Sequence, residues 1–221
     1  MTLWSMPVNQ NRKEEALPAV GHMLSPESWS PNGKTIAYLR MDDMRHFDIW
    51  ALPLDGDRKP KPVLESSKFL QASPKFSPDG LWLAYGSNES GRAEVFITQY
   101  PGPGAKFQVS TEGGFDPVWR RDGRELYYRN GDKMMVVSIT TTTPKPTLSA
   151  PRVLWEGHYA AGSASSCGMS GVASANYDVT ADGQRFVMVE DKDQDLHGHQ
   201  VNVIVNFASM ILRAEERARG R

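Results

Sequence analysis

Four segments of the sequence repeat one pattern, in which an apolar stretch, a tight turn and a second apolar stretch follow each other. The turn is Asn-Gly or Asp-Gly, with glycine at positions 33, 80, 123 and 183. Glycine adopts the positive φ that such turns require without the steric cost other residues incur. Each segment therefore predicts two strands joined by a tight turn. The segments are Trp29 to Tyr38, Phe76 to Tyr85, Trp119 to Tyr128 and Val179 to Met188.

The spacing of these glycines predicts a repeat architecture. The first two steps, 47 and 43 residues, fall in the range of about 40–50 residues expected for one propeller blade. The third step is 60 residues, because an Ala-, Ser- and Gly-rich insertion lies between Gly157 and Asn176. The sequence thus predicts an all-β fold, a β-propeller of about four to five four-stranded blades, as a single domain over residues 1–221.

Further strands follow each hairpin at similar distances. Third strands are predicted at Asp48 to Leu52, Glu94 to Thr98, Met134 to Ser138 and Val201 to Val205. Shorter fourth strands are predicted at Lys61 to Leu64, Lys106 to Val109 and Arg152 to Trp155. Prolines cluster in and before these fourth strands, which suits an outer edge where a missing N–H breaks no internal ladder.

The strand count does not match a whole number of blades. Adding N-terminal strands at Thr2 to Pro7 and Glu15 to Leu17 gives 17 strands, whereas four blades need 16 and five need 20. The chain is therefore expected to start in the middle of a blade. Either an N-terminal strand completes the C-terminal blade, or open arcs pair their exposed edges in a homodimer.

Composition narrows the functional classes. Twenty-five basic and 26 acidic side chains give no electrostatic footprint for nucleic acid. No apolar window is long enough for a transmembrane helix, and the N-terminus lacks the features of a signal peptide. We therefore expect a soluble chain, cytoplasmic as written, without membrane insertion. A single cysteine, Cys167, excludes an internal disulfide.

The repeat motifs carry a family resemblance. They include Phe76-Ser77-Pro78-Asp79-Gly80, Pro117-Val118-Trp119, Asp122-Gly123-Arg124-Glu125-Leu126-Tyr127-Tyr128 and Asp182-Gly183-Gln184-Arg185-Phe186. On these motifs the chain resembles the TolB-like (WD40-like, PD40) propeller repeats, and most closely the repeats at the C-terminus of bacterial serine/threonine protein kinases. The resemblance implies a non-catalytic binding or scaffolding module for a protein, peptide or small ligand, without a cofactor. No kinase signature is present in the sequence.

An enzyme is the alternative function. Propellers also host hydrolases and lyases, with a metal or polar site on the channel or loop face. The candidate metal ligands are Asp191, Asp193, Asp195, His197 and His199. A solvated hairpin explains these residues as well, because the glycine and distal glutamate of a calcium loop are missing. A propeller accessory to a separate peptidase domain is a third hypothesis.

The insertion and the C-terminal tail carry two further hypotheses. Cys167, in the insertion, would be a nucleophile only beside a base such as His158, and a flexible loop is the alternative. His22 and His46 are interpreted as turn or rim residues. The tail 208–221 carries four arginines and is predicted to form a short helix that frays at its end.

Overall fold

The computed structural model describes residues 1–7, 13–41, 47–102, 104–140, 145–160 and 175–189. These residues form strands and turns, and the described part contains no helix. The strands are β1 (Leu3–Ser5), β2 (Glu15–Leu17), β3 (Met23–Trp29), β4 (Thr35–Met41), β5 (Phe47–Pro53), β6 (Lys61–Leu64), β7 (Gln71–Phe76), β8 (Trp82–Ser87), β9 (Glu94–Gln99), β10 (Lys106–Gln108), β11 (Phe115–Trp119), β12 (Glu125–Asn130), β13 (Lys133–Thr140), β14 (Thr147–Leu148), β15 (Arg152–Glu156), β16 (Asp178–Val179) and β17 (Phe186–Val187).

Three complete sheets are propeller-type blades, which confirms the predicted fold class. Blade 1 consists of β3-β4-β5-β6 and blade 2 of β7-β8-β9-β10, each antiparallel throughout and in chain order. Blade 3 consists of β11-β12-β13, and its fourth position is divided between β14 and β15. The short strand β14 was not predicted from the sequence.

Two pairs of strands are half-blades at the ends of this array. The N-terminal half-blade pairs β1 with β2, with Leu3 opposite Leu17. The C-terminal half-blade pairs β16 with β17, with Val179 opposite Phe186. By their place in the repeat, β1 and β2 are third and fourth strands, whereas β16 and β17 are first and second strands. The mid-blade start that the strand count predicts stays a prediction.

The hairpin turns have the predicted geometry. Gly33, Gly80, Gly123 and Gly183 all have φ between 70° and 74°. In the first turn Gly33 N donates to Ser30 O at 2.8 Å, and Lys34 N donates to Asn32 Oδ1 at 3.0 Å. Equivalent backbone bonds recur in the other three turns. The Asx side chain and the glycine together explain why this dipeptide recurs.

The second strand of each complete blade alternates between two neighbours. In β8, Leu83 and Tyr85 pack toward blade 1, whereas Trp82 and Ala84 pack toward blade 3. Both faces of the strand are therefore buried, so its sequence is an uninterrupted apolar run. The four apolar clusters of the described structure each lie between two successive blades or half-blades.

The first strands line the inner side of the array, because β3 contacts β7 and β7 contacts β11. Each of these three strands has a bulge, between Pro26 and Ser28, Ala72 and Lys75, and Phe115 and Val118. Prolines 26, 74 and 117 fall in these bulges, where a missing N–H interrupts no ladder bond.

Some predictions concern residues outside the described ranges. The strand at 201–205 and the helix at 208–221 belong to that group. In the described part of the chain, no helix of the length and apolarity needed to span a membrane was found.

Candidate functional site

The aromatic residue that ends each first strand shows how a blade covers its neighbour. Phe76 and Trp119 occupy this position in blades 2 and 3, and they are 7% and 8% exposed. Each packs in the cluster it shares with the preceding blade. Trp29 occupies the same position in blade 1 and is 55% exposed. Blade 1 is therefore uncovered where its neighbours are covered.

The N-terminal half-blade accounts for this difference. Leu3 and Leu17 pack on Leu24, Tyr38 and Leu52 of blade 1, so they cover its outer part. A complete blade at this place would also have first and second strands, which lie on the inner side. Among the described residues β1 pairs with β2 alone, and Trp29 is exposed.

Strand β1 is itself covered on one side only. Leu3 points into blade 1, and its neighbour Trp4, on the opposite face of the strand, is 55% exposed. The third strands of blades 2 and 3 differ: β9 is buried from Glu94 through Thr98 and β13 from Met134 through Val137. The half-blade thus presents a free face on the side away from blade 1.

The C-terminal half-blade also has one packed side and one exposed edge. Tyr177, Val179 and Phe186 pack on Tyr127 and Met134 of blade 3. The edge residue Val187 is 66% exposed, and Val189 is exposed as well. A shallow cleft of about 420 Å³ borders this half-blade, lined by Asp178, Val179, Thr180, Arg185, Phe186 and Val187.

Exposed apolar side chains therefore concentrate at the two ends of the array. Of the nine large apolar residues exposed in the described chain, only Leu81 and Val153 belong to blades 2 and 3. We call the N-terminal group the leading end and the C-terminal group the trailing end. The leading end comprises Met1, Trp4, Met6, Val20 and Trp29, and the trailing end comprises Val187 and Val189. Clustered exposed apolar residues mark interaction surfaces, whereas single ones do not.

Polar bonds between first strands hold the blades together. Lys75 Nζ donates to Glu27 O at 2.8 Å, joining blades 1 and 2. Ser73 Oγ donates to Asp116 Oδ1 at 2.8 Å, joining blades 2 and 3. Tyr177 Oη donates to Asp116 O at 2.8 Å, joining blade 3 to the C-terminal half-blade. We call these residues, together with Arg129, the first-strand cluster.

Glu27 is the most perturbed carboxyl of this cluster. Burial raises its pKa to about 7, although Lys75 and a hydrogen bond from Ser25 oppose the shift. The negative charge of Asp116 raises the pKa further. Glu27 Oε1 accepts the Ser25 hydroxyl at 2.9 Å, and Oε2 lies 3.7 Å from Lys75 Nζ. The side chain is fully buried, so its charged form is poorly solvated.

Asp116 and Arg129 form the second half of the cluster. Asp116 is fully buried, and burial raises its pKa while the bond from Ser73 and the charges of Lys75 and Arg129 lower it. Arg129 is also buried, and its Nη2 donates to Gly131 O at 2.9 Å. Asp116 Oδ2 and Arg129 Nη1 have no hydrogen-bond partner among the described residues. The cluster thus places acidic and basic side chains together between the blades.

The candidate residues from the sequence are mostly outside the described ranges. Cys167, Asp191, Asp193, Asp195, His197, His199 and His46 belong to this group, so their roles stay predictions. His158 is described: its Nδ1 lies 3.1 Å from Asp132 Oδ2, and the side chain is largely exposed. His22 lies at the surface, and its carbonyl accepts the N-terminal ammonium at 3.2 Å. Across the described ranges, no three His, Cys, Asp or Glu side chains group as metal ligands.

Sequence reasoning missed the first-strand cluster. The available signal was the proline that recurs two or three residues before each first-strand aromatic residue, at 26, 74 and 117. A proline inside a strand indicates a bulge, and bulges re-aim side chains. The burial of Glu27, Lys75 and Asp116 depends on contacts between blades, which a single repeat does not reveal.

Comparison with known proteins gives similarity at the level of fold. No protein-family model matches the chain. An uncharacterized protein of Agrobacterium fabrum, Atu1656, is 28% identical over 74 residues, which are 34% of this chain and 24% of that protein. The chain thus spans about a quarter of this curated relative.

Solved structures of TolB proteins are similar in architecture. One, from Agrobacterium tumefaciens, aligns with a TM-score of 0.49 at 16% identity, over 63% of this chain and 53% of the other. TolB from Acinetobacter baumannii aligns with a TM-score of 0.48 at 17% identity, over 63% and 35% of the two chains. This chain is therefore structurally similar to TolB-like propellers, and it spans about half or less of their length.

Proposed function

We propose that this chain is a non-catalytic propeller module that binds a protein or peptide partner through its leading end. One observation carries the proposal: Trp29 is 55% exposed at a repeat position where its counterparts Phe76 and Trp119 are 7% and 8% exposed. Exposed tryptophan in a partly built apolar pocket is typical of the residues that dominate binding energy at interfaces.

The type of partner is inferred from β1 and from the exposed side chain of Trp29. Among the described residues β1 pairs only with β2, which leaves its other edge without a described partner, and Trp29 of blade 1 is exposed. An extended segment laid there would pair with β1 through its backbone and pack on Trp29 through its side chains. Strand addition of this kind is an established mode of peptide recognition. The proposed partner is therefore a segment in extended conformation with alternating apolar residues.

We infer the biological setting of the module from the sequence motifs. They resemble the propeller repeats that follow bacterial serine/threonine kinase domains. A propeller attached to a kinase domain would serve to dock a partner of that kinase. The rigid blades supply the frame, because the inter-blade bonds of Lys75, Ser73 and Tyr177 fix their relative positions.

A phage-displayed library of random 12-residue peptides, selected on the full chain, tests this function. We expect enriched peptides with alternating apolar residues, and we expect Trp29→Arg to weaken their binding about 100-fold. Leu81→Arg is the matched control, because Leu81 is also an exposed apolar residue but belongs to blade 2. Enriched peptides that bind the Trp29→Arg variant as well as the unchanged chain would contradict the proposal.

A propeller enzyme is the second candidate, and one observation favours it. Glu27 and Asp116 both have raised pKa values, and perturbed carboxyls cluster at catalytic sites. Both side chains are closed to solvent, however, so a substrate would need a path that opens the first strands. Turnover of esters, lactones or peptides that Asp116→Asn abolishes, with the fold intact by circular dichroism, would favour the enzyme.

A further inference from the structure

The turn that joins β3 to β4 differs from the other three repeat turns in one residue. It has Asn32 before its glycine, whereas the turns at Gly80, Gly123 and Gly183 have aspartate there. We propose that Asn32 is a modification site, at which the chain's own backbone converts asparagine into aspartate and isoaspartate with release of ammonia. The modification does not depend on the proposed function, because it involves only the turn.

The reaction needs only the Asn-Gly dipeptide and water. The backbone nitrogen of Gly33 attacks Cγ of Asn32, so that a new C–N bond closes a succinimide ring and the Cγ–Nδ2 bond breaks. The amide nitrogen leaves as ammonia and takes with it the proton that Gly33 N gives up. Water then opens the ring at one of its two carbonyls, which yields aspartate or isoaspartate. Glycine favours the first step because it has no side chain beside the attacking nitrogen.

The folded turn exposes this dipeptide and holds the amide oxygen of Asn32. Both residues are exposed, and a Cβ placed on Gly33 would meet no atom within 4 Å. Asn32 Oδ1 accepts hydrogen bonds from Ser30 Oγ at 2.8 Å and from Lys34 N at 3.0 Å. Two donors at this oxygen stabilise the negative charge that develops on it when the nitrogen attacks Cγ, as an oxyanion hole does.

One bond of the turn opposes the reaction. Gly33 N donates to Ser30 O at 2.8 Å, and the nitrogen must leave this bond and lose its proton before it attacks. An exposed turn opens locally at a small fraction of the cost of global unfolding. The exposure belongs to the turn itself, because Asp79 and Asp122 are exposed at the same position in blades 2 and 3.

A second Asn-Gly dipeptide, Asn130-Gly131, is held more firmly. Asn130 Nδ2, which would be the leaving nitrogen, donates to Glu112 O at 3.2 Å. Gly131 O accepts a hydrogen bond from Nη2 of the buried Arg129 at 2.9 Å. Because these bonds fix both residues of the dipeptide, we expect Asn130 to react at least about 10-fold more slowly than Asn32 in the folded chain.

The two products differ in their effect on the hairpin. Aspartate fits the turn, because Asp79 Oδ1 accepts Leu81 N at 3.0 Å in blade 2, which is the bond that Asn32 makes in blade 1. Isoaspartate adds a methylene to the main chain and thereby shifts Ser30 relative to Thr35, whose carbonyl accepts Ser30 N at 2.8 Å. Only isoaspartate is therefore expected to loosen the pairing of β3 with β4.

Peptide mass spectrometry of the full chain, after incubation in mildly alkaline buffer, tests the site. In the folded chain we expect the mass shift of deamidation in the peptide that contains Asn32, at least about 10-fold faster than in the peptide that contains Asn130. In urea, where neither dipeptide is held, we expect similar rates at both. An Asn32 that stays intact in the folded chain while it converts in urea would overturn the proposal. Equal rates at the two positions in the folded chain would overturn its structural basis.

Three variants separate the chemistry from the fold. Gly33→Ala places a side chain beside the attacking nitrogen, so we expect conversion at Asn32 to be lost over the same incubation. Gly131→Ala is the matched control, because both glycines have positive φ and open space around them, and it is expected to leave that conversion unchanged. Asn32→Asp is expected to give no mass shift and to keep the urea midpoint. A lowered midpoint would contradict the fit of aspartate to this turn.

Discussion

Replacing Trp119 by alanine is expected to lower the free energy of unfolding by about 4 kcal/mol, whereas the same change at Trp29 is expected to cost less than about 1 kcal/mol. Both residues end a first strand at the same repeat position. Trp119 is buried against Trp82, Ala84 and other residues of blade 2, and its indole N–H donates to Lys75 O at 3.0 Å. Its removal leaves a cavity and breaks this hydrogen bond.

Urea unfolding of the full chain measures this difference. Phe76→Ala is the matched control, because Phe76 is buried at the same repeat position in blade 2. We expect it to cost about 3 kcal/mol, close to Trp119→Ala. Equal losses for Trp29→Ala and Trp119→Ala would mean that Trp29 is buried within the single chain, which contradicts an uncovered blade 1.

The second large effect is on the pH dependence of stability, through Glu27. Its pKa is about 7 in the folded chain, above the ordinary value of 4.5. Between these values the folded state binds more protons than the unfolded state, so the free energy of unfolding falls as the pH rises. A shift of this size corresponds to about 3 kcal/mol at most. The contribution of Glu27 to the free energy of unfolding is fully present below pH 4.5 and is lost as the pH rises through 7.

Glu27→Gln is expected to remove most of this slope, because glutamine keeps the shape of the side chain and does not ionise. Burial also raises the pKa of Asp116, so that residue contributes a slope of the same sign. Unfolding by urea at several pH values from 5 to 8 provides the measurement, with Glu65→Gln as the control at an exposed glutamate. An unchanged slope in Glu27→Gln would show that Glu27 is ionised in the folded chain at neutral pH.

Much of the fold follows from local sequence patterns. The turns at Gly33, Gly80, Gly123 and Gly183 are local, so the residues that form them lie within one hairpin. The apolar runs of β8 and β9 predict strands buried on both faces, as the structure confirms. Strand β6 has the predicted bounds, Lys61–Leu64, and so has β2, Glu15–Leu17.

The site was harder to predict from the sequence, because the burial of its residues depends on which sheet lies beside each blade. Trp29, Phe76 and Trp119 look equivalent in their repeats, and only the neighbouring sheet decides which of them is buried. The pKa of Glu27 likewise depends on Lys75 and Asp116, which belong to other blades. The short strand β14 was missed because two residues are too few to show the alternation of apolar and polar side chains that indicates a strand.

The polar residues of the cluster also explain why the blades form a rigid frame. Ser73 and Asp116 both have positive φ, 50° and 55°, a conformation that costs about 1 kcal/mol for residues other than glycine. Their mutual hydrogen bond, at 2.8 Å, stabilises this backbone and links two blades. Lys75 Nζ adds a bond from blade 2 to Glu27 O of blade 1, so these links extend to the blade that carries Trp29.

The most direct test of the central claim, that blade 1 is uncovered at Trp29, is the rate at which each tryptophan is oxidised by hydroxyl radicals in the full chain. In dilute solution we expect Trp29 and Trp4 to react quickly and Trp82 and Trp119 slowly. Trp29 reacting as slowly as Trp119 at every dilution would contradict the account.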